Sequence, residues 1–91
     1  MFRLHKNLKV PVIVTQINKN QVNALIPDFN VTVHSHDFVS VISDATMVAS
    51  SMYYFYIERN IQFELNCTLA KAEKMAMKKK NSFATLVGIV I

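Results

Sequence analysis

The sequence predicts an α+β domain: a small antiparallel sheet of three to four strands with one long helix packed across it, in the order β-β-β-α-(α)-β. Three observations lead there. Residues 9–36 alternate like strands and are broken by turn residues. From Phe38 apolar side chains recur every three or four positions, the period of a helix face. Residues 83–91, "FATLVGIVI", return to a β-branched apolar run.

Each element has its own signature. "KVPVIVTQIN", 9–18, is β-branched and interrupted only by Pro11, which suits an edge or the beginning of a strand. "NKN", 18–20, is turn chemistry, so residues 21–27 form the second arm of a hairpin. "PDFN", 27–30, turns the chain into a third strand, 31–36. Phe38, Val41, Ile42, Ala45, Val48, Ala49, Met52, Phe55 and Tyr56 then mark one helix face, with the helix running to about Asn60. Asp37 is its expected N-cap, a carboxylate placed to accept from the open amides of the first turn. Asn66 or Thr68 caps a shorter helix through "LAKAEKMAMKKK", whose lysine-rich end suits the negative pole of the helix dipole.

The totals narrow the function. Ninety-one residues, 52% hydrophobic and 18% charged with one Gly and two Pro, make a single folded domain over 1–91 with a modest core. Cys67 is the only cysteine, so no disulfide staples the chain, and a buried thiol in a reducing, cytoplasmic setting is expected. The basic N-terminus lacks a small-residue cleavage site and alternates like a strand, against a signal peptide. Residues 38–57 are long enough to span a bilayer, but Asp44 and several hydroxyl side chains within them argue against it.

Catalytic chemistry finds little support. The six acids, Asp28, Asp37, Asp44, Glu58, Glu64 and Glu73, are scattered, and Gly88, the single glycine, leaves no material for a phosphate-binding loop. His34 and His36 share a strand face, the geometry of a zinc-ligand pair. Two ligands do not make a site, and adding Cys67 or His5 requires a coincidence of tertiary structure. The pair reads as a polar strand end beside a helix start; no metal or cofactor is expected. "YYFY", 53–56, suggests a base-stacking platform, but on a helix its rings point around the whole circumference, so packing is expected instead.

Both alternating sets of the first and last strands are apolar, and Val39, Met47 and Tyr54 lie off the main helix stripe. One helix cannot cover that much surface, which predicts a homo-oligomer, most simply a dimer. Lys71, Lys74, Lys78, Lys79 and Lys80 supply half of the ten basic residues in a chain of net charge +4. They are a candidate phosphate-facing cluster.

In this order the pieces resemble the HicB-like antitoxin domain. The carriers are Ile26, Pro27, Asp28 and Phe29, for that family's Phe-Pro-Asp-Leu corner, then Asp37, Phe38 and the helix with Ala45. Phe83, Thr85, Leu86 and Val87 match its closing strand. The resemblance implies a partial ribonuclease-H-like fold without catalytic acids, and a non-enzymatic module that masks a small basic ribonuclease toxin of the HicA type. It makes Pro27, Asp28, Phe29, His34 and His36 the candidate toxin-binding residues. Three features differ from the family: Asn30 and Val31 stand for its Pro-Gly and Gly88 and Val90 for its closing-strand acids, the connector, usually acidic, is lysine-rich here, and with the chain closing at Ile91 no DNA-binding module is expected. The alternative expectation is an RNA- or other nucleic-acid-binding homodimer that uses segment 71–80.

Overall fold

A computed structural model describes residues 8–62 and 66–89. His5, Glu64 and the last two residues of the expected closing strand lie outside them. The elements are β1 (Lys9–Asn18), β2 (Gln21–Ile26), β3 (Val31–Ser35), α1 (Phe38–Glu58), α2 (Leu69–Met77) and β4 (Ser82–Gly88). The four strands form one antiparallel sheet in the order β3-β2-β1-β4, an α+β fold with α1 packed across it.

Strand alternation sends two sets of side chains to opposite faces of the sheet. Val10, Val12, Val14, Val22, Ala24, Ile26, Val87 and Ile89 meet Val41, Ala45, Ala49 and Tyr53 of α1. Ile13, with Leu25 and Ala84, lies on the other face, where Ala72 and Ala76 of α2 cover it. The second helix therefore shields part of the apolar surface that a single helix would leave bare. The small alanines let α2 sit close to the strands. No helix among the described residues is long and apolar enough to cross a membrane.

The two helices also explain why β4 runs antiparallel to β1. α1 starts where β3 ends and carries the chain to the opposite end of the sheet. There Phe29 of the β2–β3 corner packs edge-on against Tyr56, with ring centroids 5.8 Å apart. α2 brings the chain back along the other face, so β4 begins at Ser82, opposite Thr15, and runs along β1 to pair Gly88 with Lys9.

Caps and turns follow from side-chain chemistry. Asp37 is the N-cap of α1: its carboxylate accepts from the Ser40 amide at 2.8 Å. That bond, with smaller help from the Ser40 hydroxyl and His36, holds the carboxyl below its usual range. Thr68, not Asn66, caps α2, accepting from the Lys71 amide. α1 ends at Glu58, two residues before the expected Asn60. Asn60 adopts φ 57°, and its amide and that of Ile61 donate to the carbonyls of Ile57 and Tyr56. This is a Schellman closure with asparagine in the place glycine usually takes. Asn30, in the β2–β3 turn, and Asn81, just before β4, hold the same left-handed conformation. Among the described residues, then, asparagine supplies the left-handed turns of a chain with one glycine.

Candidate partner-binding surfaces

The five residues that the family resemblance singles out do not form one patch. Pro27, Asp28 and Phe29 sit at one end of β3, while His34 and His36 lie at or beyond the other, about 16 Å away along the strand. Phe29 is 6% exposed and belongs to the core beneath α1. Asp28 turns toward the connector, where its Oδ1 accepts from the amides of Asn66 at 2.7 Å and Cys67 at 3.0 Å. Its Oδ2 is buried and has no hydrogen-bond partner among the described residues. This corner thus ties the connector to the β2–β3 turn and sets where α2 begins. Cys67 is held in the same place against the α2-side cluster, and burial pushes its thiol pKa up.

The histidine end is open. A cleft of about 590 Å³ wraps the end of β3, between the β1–β2 turn and the first turns of α1, and includes His34, Ser35, His36 and Asp44. His34 Nδ1 lies 2.6 Å from Asn23 Oδ1 on the α2-side face, and Gln21 donates to that same oxygen. Ser35 donates to Asp44 at 2.6 Å on the α1 side. Asp44 lines this cleft, Asp37 follows His36 at its rim, and Lys19 precedes Asn20 on the β1–β2 side. Among the described residues, no group of three or more His, Cys, Asp or Glu side chains is placed to hold a metal ion. What the cleft offers is a set of hydrogen-bonding groups and two negative charges next to an edge strand.

On the far face, Ala72 and Ala76 point into the sheet, and helical spacing turns Lys71, Lys74 and Lys78 outward together. Lys79 and Lys80 continue this ridge into the turn before β4. Lysines thus predominate on the outward side of α2, beside Glu73, whereas α1 carries Asp44 and Glu58 and no lysine.

A third surface was only partly legible in the sequence. The outward side of α1 exposes Met47 (66%), Tyr54 (39%) and Phe55 (44%), around an open groove of about 560 Å³. Within "YYFY", Tyr53 is buried and Tyr56 meets Phe29, whereas Tyr54 and Phe55 face outward. The signal was the set of apolar residues off the main stripe. It identified surplus surface without showing that this surface is continuous.

No family model matches this chain, and no curated protein or solved structure matches it either.

Proposed function

We propose that this chain is a non-catalytic protein-binding module of the HicB-like antitoxin kind, a cytoplasmic homodimer that masks a small, basic, HicA-type ribonuclease toxin. The relation to a partial ribonuclease-H-like fold belongs to the same proposal; a three-stranded meander followed by a helix across it supports this. The observation that carries the reading is the acid-bordered cleft at the open end of β3. A free edge strand offers backbone hydrogen bonds to an incoming chain. Asp37 beside it would steer a basic partner, away from the lysines on the opposite layer.

The test is co-expression with the neighbouring reading frame, which this reading requires to encode a small basic protein. The expected result is a complex that survives nuclease treatment and relief of the partner's toxicity. His36→Lys, which fixes a positive charge at an exposed site beside Asp37, should weaken the complex at least tenfold at low salt. An unaffected complex would remove the cleft from the interface, and no complex would remove the antitoxin reading.

One observation favours nucleic-acid binding as the second reading: Lys71, Lys74 and Lys78 share one face of α2 and lead into Lys79 and Lys80. It requires RNA affinity that falls with salt at a slope near −0.7 for each phosphate neutralised. Binding that is undetectable at low salt, or independent of salt, would eliminate it.

A further inference from the structure

We propose that the outer face of α1 is where two copies of this chain pair, antiparallel, about a two-fold axis passing beside Ser50 and Ser51. The inference rests on the homodimer part of the reading above and assigns its surface.

α1 is apolar on both sides. Its inner side is spent on the sheet, while Met47, Ser51, Tyr54 and Glu58 recur at helical spacing on the other. That outer side carries no lysine or arginine from Phe38 to Glu58. Arg59, just past the end of α1, is a single cation, fewer than a phosphate backbone or the basic flank of a membrane-bound amphipathic helix calls for.

The pattern is complementary to itself. Met47 and Tyr54 stand equally far, about 5 Å, on either side of the Ser50–Ser51 midpoint. An antiparallel copy thus brings Met47 of one chain onto the Tyr54 ring of the other, twice, a favourable sulfur–aromatic contact. The serines between them are small enough for the helices to approach closely. Ser43 and Glu58 are related by the same midpoint, so Glu58 falls one residue from Asp44 of the second copy, a like-charge contact that a cation must offset.

The charges follow the same symmetry. Asp44 and Phe55 lie on one flank of α1, eleven residues apart and within about 20° of each other around the axis. Arg59 reaches back over the Phe55 ring, its guanidinium carbon 4.5 Å from the ring centre. A two-fold axis perpendicular to the helix keeps each flank on its own side. Arg59 of one copy is therefore brought opposite Asp44 of the second, and the reverse, at both ends of the seam. The isologous arrangement pairs unlike charges, which is the condition a self-association surface must meet.

The experiment is sedimentation of the full chain at micromolar concentration, with circular dichroism melting to verify folding. The wild type should be a dimer. Met47→Glu, at an exposed position, should make it a folded monomer. Asp44→Arg and Arg59→Asp should each weaken the dimer tenfold or more, and the two together should restore it. The double substitution does not restore the Ser35 bond to Asp44 or the Arg59–Phe55 contact, so recovery reads the pair between copies alone. A dimer indifferent to Met47→Glu, or a double variant no tighter than the singles, overturns this inference and leaves the homodimer reading standing. A monomeric wild type overturns both.

Discussion

Asp28 makes two long-range hydrogen bonds from one carboxylate oxygen, and their loss should be visible as global destabilisation. Asp28→Ala removes the acceptor from the Asn66 and Cys67 amides. A hydrogen bond to an ionised acceptor contributes about 1.5–3 kcal/mol. The Asn66 bond is exposed, so water can replace part of it, and the Cys67 bond is only partly buried. Together they should cost about 2–4 kcal/mol, or about 10–25 °C in melting temperature for a domain of this size. Asp28→Asn keeps an acceptor at Oδ1 but puts an amide NH2 where the buried Oδ2 has no partner, so it should melt between wild type and Asp28→Ala. The assay is thermal and urea unfolding followed by circular dichroism at neutral pH. Asp28→Ala melting with wild type, or Asp28→Asn melting as low as the alanine variant, would refute the view that acceptor geometry at this corner anchors the connector.

Three further outcomes follow from the caps and the thiol. The Asp37 carboxyl has its pKa lowered in the folded state, so its contribution is present above the unfolded pKa and is lost as pH falls toward the folded one. Wild type should therefore exceed Asp37→Ala in melting temperature at neutral pH, with the gap closing through the acid range; a constant gap would contradict the capping assignment. Thr68→Ala should cost about 1 kcal/mol by unfolding, because α2 loses its N-cap acceptor, whereas Asn66→Ala should leave that cap intact. Cys67, its pKa raised by burial, should react with a thiol reagent at least tenfold more slowly in the native protein than in denaturant; equal rates would place the thiol in open solvent.

Much of the fold was written locally. β1 was delimited correctly by its β-branched run and the asparagine after it, and Asp37 by the change from period two to period 3.6 just beyond it. What sequence could not give was tertiary. Nothing in "LAKAEKMAMKKK" says that Ala72 and Ala76 face Ile13 across the sheet; a nine-residue helix with two inward alanines has too little apolar surface to declare its side. The helix ended at Met77 rather than running into the lysines because Lys78 takes the C-cap and Asn81 turns the chain left-handed. The turn expected at 18–20 is present, with the Asn18 side-chain oxygen accepting from the Asn20 amide, while the positive-φ asparagines are Asn30, Asn60 and Asn81. The Pro27–Phe29 corner is conspicuous in sequence for a reason visible only in three dimensions. Phe29 supports α1, and Asp28 holds a connector 38 residues further on. Its prominence came from structure-making contacts, which a linear reading does not separate from contacts with a partner.

The most direct test of the protein-binding reading is affinity capture of the tagged full chain from its native host at low salt, divided into nuclease-treated and untreated halves. The result expected is one small basic protein retained equally in both halves, whose ribonuclease activity is suppressed when this chain is added back. Capture of nucleic acid alone, lost on nuclease treatment, would contradict it and turn attention to the lysine ridge of α2.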